Sequence, residues 1–542
     1  MRRFSSYGPV DTKTNYYAPR RKLIDNASTQ LLGEHPDNGG HYITIWAPRQ
    51  TGKTWIMNQV LWRFQEPPVS ERFDVVKLNL QHLTDAEKLH SIQVIARELA
   101  RELGIDVPSI HLPDDFEAIF TNKILARPLV LIIDEFDALS SETIHTIVSA
   151  FRNIHLRRRQ QANQPTDQRD YLLHSVGLIG IRAVLGIGNE SGSPFNVQRS
   201  IHIPNLTFDE VNYMFHWYEK ESGQTVEQIV IDRLFYETRG QPGLVSWLGE
   251  LLTETYNDTP DQPITSKNFD RVFLWATQGL PSNNVQHIIS KVRQKPHRET
   301  ILSLFDTQNP LEFSFDDPSH NYLYLNGAID VEEDQDEDRL LARFANSLVQ
   351  KRLFNYFARE LFPQIGVLHD PFDDLSDTIT DTSLNVKALI QRYETYFHKN
   401  REWILRDAPQ RKKDLRIHEA VYHFNLFLYL VSLLRSYDAS VVPEFPTGNG
   451  KLDIFIRHAG RVYGLEVKSF ANQREYRKAL VQAARYGQEM EQQEMWLILF
   501  VERVDDANRR KFETIYTDQE TDVTVHPLFV ATENQSDDKM KG

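Results

Sequence analysis

Two places in the sequence gather side chains that can work on phosphates. The first is Ala47-Pro48-Arg49-Gln50-Thr51-Gly52-Lys53-Thr54, which follows the apolar run Ile43–Trp46. Four residues and then Gly-Lys-Thr, between a strand-like run and a helical pattern, fit the phosphate-loop spacing, with Ala47 standing where a glycine usually begins it. In such a loop the backbone N–H groups turn inward around the β-phosphate and Gly52 lets the backbone approach. Lys53 neutralises the β and γ oxygens, and the Thr54 hydroxyl ligates Mg²⁺. Farther along, Leu129–Ile133 is a buried-strand run that ends in Asp134 and Glu135. Asp134 would hold Mg²⁺ through water, and Glu135 would polarise the attacking water. Alone, that run reads as a core strand capped by solvated acids; beside the loop it completes an ATP site.

The second place lies toward the C-terminus. Gly450–Ile456 and Arg461–Lys468 alternate in polarity and are joined by a turn containing Gly460, so they are expected to form a hairpin. Asp453 begins one strand. Glu466 and Lys468, two apart on the other, point to one face. The hairpin would set two carboxylates and an ammonium together, the set that phosphodiester hydrolysis needs. The carboxylates hold one or two Mg²⁺ or Mn²⁺ ions, and the lysine orients the attacking water or steadies the developing charge. Glu419, on the preceding apolar helix, is a further metal ligand or an anchor behind the ligands. Gln482 and Tyr486 share a helix face, from which they would touch the substrate backbone or position Lys468.

These sites need frames. From residue 41 to about 275, short apolar runs (Phe73–Leu80, Leu129–Ile133, Val176–Ile181, Ser200–Ile203) alternate with longer helical patterns, which predicts a parallel sheet with crossover helices. The fold class is therefore α/β and multidomain. An ATPase core with a helical lid is expected over 1–275, and a winged-helix-like module over 276–365. The latter would contain a tyrosine-rich strand, Tyr322–Gly327, and a solvated acidic loop, Glu332–Asp338. A helical linker over 366–414, an α/β nuclease domain over 415–510 and a C-terminal strand with polar tail over 511–542 complete the partition.

Composition sets the outer limits. A chain of 542 residues predicts two to four domains. The formal charge of −14 argues against a sequence-blind nucleic-acid coat protein, though not against an enzyme with a local basic groove. The absence of cysteine excludes disulfides, thiolate catalysis and Cys-ligated metal sites. No apolar run reaches the roughly 20 residues of a membrane span, and the opening MRRFSSYGPV has no apolar signal core, so no membrane association and a cytoplasmic address are expected.

Over residues 15–275 the sequence resembles AAA-like ATPases of the wider AAA+/STAND group, on Tyr16–Arg20, Ala47–Thr54, Asp134-Glu135-Phe136-Asp137 and Thr238-Arg239-Gly240-Gln241-Pro242-Gly243. That resemblance implies a polar sensor of the γ-phosphate after the fourth core strand, with Asn189 and Ser175 both open for the role. It also implies a lid helix opening at Arg239–Gly243. Arg199 is either a trans-acting arginine finger or a plain surface residue. Arg157-Arg158-Arg159 is either a solvated helix face or a nucleic-acid contact.

Residues 415–505 resemble the PD-(D/E)XK nuclease superfamily, in its RecB-like branch. Asp453, Glu466 and Lys468 fall on the metal and lysine positions, Gln482 and Tyr486 on the helix motif, and Leu452 replaces the motif's proline. Together the two resemblances imply an ATP-regulated, Mg²⁺- or Mn²⁺-dependent nuclease. It would act on DNA, with RNA open, assemble as a homo-oligomer and serve in defence against mobile elements. Two alternatives stand beside it: a STAND-like switch with a degenerate nuclease-fold module, and an ATP-dependent DNA-binding initiator or motor.

Overall fold

The computed structural model describes residues 1–8, 10–84, 86–180, 198–305, 310–334, 338–370, 372–411, 417–444, 453–469 and 473–533, with Gln198, Glu444 and Asp453 taken by their backbone alone. The chain divides into two compact units, Met1–Phe273 and Leu274–Gly542.

In the first unit, β1 (Tyr42–Trp46), β2 (Asp74–Asn79), β3 (Leu129–Asp134), β4 (Leu173–Gly180) and β5 (Gln198–His202) form one sheet in the order β2-β3-β4-β1-β5, with every pairing parallel. β3 and β4 are buried at every position because helices cover both faces, which is why Leu129–Ile133 and Val176–Ile179 read as runs without polar residues. Leu131 and Ile133 pack into a core with Ile92 and Phe151, while Val130 and Ile132 face the opposite core with Ile56 and Val60. Since all strands run one way, Trp46, Asn79, Asp134 and Gly180 reach the same edge of the sheet.

Helices Phe208–Ser222, Gln228–Thr238 and Pro242–Glu250 follow. The first is fixed by a capping box, in which Thr207 accepts from the Glu210 N–H and Glu210 accepts from the Thr207 N–H. The polar opening stretch is anchored on this helix: Phe4 and Tyr16 are buried and pack against Phe215 and Tyr218.

The second unit departs from expectation in three places. Tyr322–Leu325 is the end of a helix, Pro318–Leu325, rather than a strand. Asp317 caps it by accepting from the Ser319 and His320 N–H groups, and Pro318 has the backbone of a first helical residue. Those start signals outweigh the strand preference of the tyrosines. The acidic run is also only partly a loop. Glu332, Glu333 and Asp334 lie in β6 (Ile329–Asp334), paired antiparallel with β7 (Arg339–Phe344). Across that hairpin Arg343 bonds Glu332 at 3.1 Å and Asp330 at 3.3 Å, and Arg339 bonds Asp334 at 3.1 Å. Helices Asn283–Val292 and His297–Leu304 precede these elements.

Third, the C-terminal sheet is larger than the expected 415–510 span. It runs β12-β13-β11-β10-β9-β8, from β8 (Ser440–Glu444), β9 (Asp453–His458), β10 (Arg461–Ser469), β11 (Glu494–Val501), β12 (Tyr516–Thr517) and β13 (Thr524–Ala531). β13 is an interior strand, parallel to β11 along the whole length of both. The helix Val386–Leu405, placed by sequence in a linker, is part of this core: its buried Tyr393 packs edge-on against Phe500 of β11. Both segments carry apolar faces that this core covers. The polar tail beyond Glu533 lies outside the described residues. Among the described residues, no helix is long and apolar enough to cross a membrane.

Candidate functional site

The phosphate loop joins β1 to the helix Lys53–Phe64 at the carboxyl edge of the sheet. Gly52 takes φ 91°, a left-handed conformation that glycine adopts without strain, and so turns the chain into the helix. Lys53 curls back: its Nζ donates to the Ala47 carbonyl at 2.9 Å and to the Pro48 carbonyl at 2.8 Å. Burial lowers its pKa to about 8, against the pull of Glu135, Asp137 and Asp134. Thr54 Oγ1 lies 3.4 Å from Asp134 Oδ1. A hydroxyl beside a carboxylate, at a helix N-terminus, is a hard oxygen set that fits Mg²⁺, and Lys53 fits the phosphates of ATP. Glu135, next along the chain, has φ 54°, and burial, reinforced by Asp137 and Asp134, raises its carboxyl pKa. The loop, Asp134 and Glu135 thus meet at one edge of the sheet. Thr51 is held by its hydroxyl on the Pro48 carbonyl at 2.9 Å.

Two residues of this site escaped sequence reasoning. Lys77 of β2 places Nζ 3.0 Å from Asp134 Oδ2 and 2.7 Å from Asn58 Oδ1. Asp134, only 2% exposed, therefore has a fixed cation on one oxygen while the other faces Thr54. The signal available was a lysine set inside the otherwise apolar Val75–Leu78 run. Gln241 is the second. Its side-chain N–H donates to the Arg49 carbonyl at 3.1 Å and the Gln50 carbonyl at 3.3 Å, while its oxygen caps the lid helix at the Leu244 N–H. The Gly243 N–H also donates to Gln50, at 3.1 Å. A side chain at Gly243 would collide with Gln50, so glycine is required where lid and loop touch.

Other expectations resolve differently. Ser175 sits near the start of β4, opposite Val130, at the wrong end of the strand to sense a γ-phosphate. Asn189 lies outside the described residues. Arg199 pairs in register with Ile43, three residues before Trp46 and hence roughly 10 Å short of the loop. Its guanidinium donates to Gln30, and the structure does not bring it to the phosphate edge of its own subunit. The central member of the arginine triplet, Arg158, is neither solvated nor available to a ligand. It is 4% exposed and donates to the Tyr171 carbonyl and the Thr166 hydroxyl, each at 2.6 Å.

In the C-terminal unit, β9 and β10 form the expected hairpin, turning at Ala459 and Gly460, which both have positive φ. The register sets Asp453 opposite Glu466. Lys468 Nζ lies 3.1 Å from Glu466 Oε1, and both side chains are buried, at 7% and 1% exposure. Glu466 and Lys468 are the partners of Leu497 and Leu499 in β11. Those leucines pack under the helix Gln473–Glu489, so the pair shares that helix's face of the sheet. On that helix Gln482 donates to the Tyr486 hydroxyl at 2.7 Å.

Glu419 lies on a separate helix. It opens the helix Glu419–Leu434, capped by His418, whose Tyr422 stacks on Phe500, a residue of the opposite sheet face. Its carboxylate is fully buried and lies 3.2 Å from His423, one turn along. Among the described residues, no three metal-capable side chains converge; the Asp453 side chain is not among them. The Glu466 carboxylate, with an aspartate position across the hairpin, offers hard oxygen donors of the kind Mg²⁺ or Mn²⁺ takes, while the Lys468 ammonium is not a ligand.

Residues 37–163 match the family described as AAA domain. No curated protein matches the sequence. Among solved structures, a Walker-type ATPase of Pyrococcus abyssi aligns at 12% identity over 65% of this chain and 99% of that one, with a TM-score of 0.42. The Aeropyrum pernix ORC1 protein in complex with DNA aligns at 13% identity over 64% and 94%, with a TM-score of 0.33. The RuvB Holliday junction branch migration motor of Thermotoga maritima aligns at 14% identity over 60% and 92%, also at 0.33. From the family match and the loop geometry, the first unit contains an AAA-like P-loop ATPase domain that uses nucleotide and Mg²⁺.

Proposed function

We propose that this ATPase governs a metal-dependent nuclease in the second unit, which cleaves phosphodiester bonds of DNA. The observation that carries the reading is the β9–β10 register: it puts Asp453 opposite Glu466, with Lys468 paired to Glu466 at 3.1 Å, at the end of the hairpin farthest from its turn. Bound Mg²⁺ or Mn²⁺ would supply Lewis acidity and an acidified water there. Asp453 and Glu466 would hold the ion. Lys468, once its carboxylate partner turns to the metal, would be left to orient the water or to balance charge growing on the phosphate. Gln482 and Tyr486 fix one another and present a polar edge from the helix covering the same face.

In the first unit, Lys53 would leave the Ala47 and Pro48 carbonyls for the ATP phosphates, Thr54 and Asp134 would hold Mg²⁺, and Glu135 would orient the attacking water. The Gln241 latch supports coupling, because movement of the loop on binding or hydrolysis would be felt directly at the lid. Assembly into a homo-oligomer and a role against mobile elements belong to the same proposal. A nucleotide-driven switch with an inactive second module is the other reading, favoured by the near-complete burial of Glu466.

The test incubates purified protein with linear and circular DNA and Mg²⁺ or Mn²⁺, with and without ATP, beside Asp453→Ala and Lys53→Ala. Cleavage that disappears in Asp453→Ala supports the nuclease, and the ATP and Lys53→Ala lanes give the direction of coupling. ATP turnover without cleavage under any metal would leave the switch reading.

A further inference from the structure

The chain is acidic, yet one helix face in its second unit is basic. On the helix Gln473–Glu489, the side chains of Ala479, Leu480, Ala483 and Ala484 pack inward onto Met495, Leu497 and Leu499 of β11. The outward side borders a groove of about 670 Å³, lined among others by Arg477, Lys478, Gln482, Arg485 and Tyr486, with Glu489 the one acid among the described residues lining it. Arg477, Lys478 and Arg485 are exposed, and among the described residues no carboxylate pairs with them. Four other arginines of this unit are neutralised: Arg343 by Glu332, Arg392 by Asp377, Arg503 by Glu533 and Arg509 by Glu394. Three unpaired cations in a groove cost self-repulsion that nothing in the fold requires.

We propose that this face is a track for the phosphate backbone of DNA, with Arg477, Lys478 and Arg485 as its phosphate contacts. The choice of DNA rests on the nuclease reading. Position supports it, because the helix covers the sheet face that carries Glu466 and Lys468 and begins directly after β10 ends, beside the Lys468 end of that strand. Size agrees as well. Arg477 to Arg485 spans roughly 12 Å along the helix axis, and phosphates of one strand recur about every 3.4 Å of duplex axis, so several phosphates pass within reach. Gln482, within the track, and Tyr486, at its end, then lie beside the strand backbone rather than only beside the cleavage site.

The experiment measures binding of a fluorescein-labelled DNA duplex in EDTA, where no metal-dependent cleavage occurs, across a salt titration. Wild type is compared with Arg477→Ala/Lys478→Ala/Arg485→Ala, and with Lys295→Ala/Lys387→Ala/Arg435→Ala as an equal loss of charge elsewhere in the unit. The groove triple variant should bind about 10-fold more weakly or worse, and the slope of log K against log salt should fall by about 3. The control triple should leave the slope unchanged, and Arg477→Lys/Arg485→Lys should retain it, which separates lost charge from a misfolded helix. An unchanged affinity and slope in the groove variant overturns the track. So does an unchanged affinity together with an altered sedimentation coefficient, which would assign the face to an acidic protein surface. Groove-dependent binding without any cleavage in Mg²⁺ would sink the nuclease reading and leave the track. Cleavage with groove-independent binding would do the reverse.

Discussion

The ATPase site and the proposed nuclease site keep their lysines in opposite states. Lys53 rests on neutral carbonyl oxygens and is held near pKa 8 by burial. Lys468 rests on a carboxylate, 3.1 Å from Glu466 in a pocket that hides both. The first lysine gives up little when an anionic phosphate arrives. The second would be released if another cation took Glu466, as the metal of the proposed nuclease would. On that proposal one site is set for an anion and the other for a cation, although both use a carboxylate and an ammonium. The ATPase site also has its own compensated acid, since Lys77 sits on Asp134.

The largest test of that contrast is Lys468→Met. Removing the ammonium from the buried Glu466–Lys468 pair should destabilise the second unit by about 3–5 kcal/mol. Added Mn²⁺ should restore more of the melting temperature in this variant than it adds to wild type. Equal metal responses would mean that Glu466 does not receive the ion. Next comes a crossed pair. Asp453→Ala should lower DNA cleavage by about 100-fold or more while nucleotide affinity, followed with a fluorescent ATP analogue, stays put. Lys53→Ala should weaken that nucleotide binding by about 10- to 150-fold and leave metal binding at the hairpin intact. A loss of both functions in either variant would break the separation of the sites.

The pH response is smaller. Above its pKa of about 8, Lys53 is neutral in the empty site, whereas bound phosphates favour its charged form. Binding then takes up a proton, so ATP affinity should be level below pH 8 and fall by up to about 10-fold per pH unit above it. Lys53→Arg stays charged throughout and should show no such bend in the same titration. The smallest expected effect is Gln241→Ala, which removes a helix cap and the latch on the loop and should cost about 1 kcal/mol. If the ATPase governs the nuclease as proposed, it should also uncouple nucleotide binding from any change in cleavage. A variant of normal stability with unchanged coupling would take the latch out of the mechanism.

Much of each site was legible in the sequence because its geometry is local. A strand running into Gly-Lys-Thr must turn its amides and its lysine to the same place, and Asp134-Glu135 ends a run too apolar to be anything but an interior strand. The hairpin follows from alternation and from the Ala459-Gly460 turn, and its register then places Asp453 opposite Glu466. Cap chemistry was legible too, yet it was underread at Pro318, where Asp317 starts a helix that the tyrosines disguise as a strand.

What tertiary structure decided were the meetings between segments far apart in the chain. Lys77 reaches Asp134 only because β2 is the neighbour of β3, and Gln241 reaches Arg49 only because the lid folds back over the loop. Arg158 became a buried strut when the Thr166 and Tyr171 segment closed over it. Glu419 was drawn to His423, on the helix covering the other sheet face, and β13 entered the sheet beside β11. Spacing along a sequence encodes helix faces and strand faces through fixed periods. Which face meets which is set by the burial of apolar surface summed over the whole unit, and no single segment carries that sum.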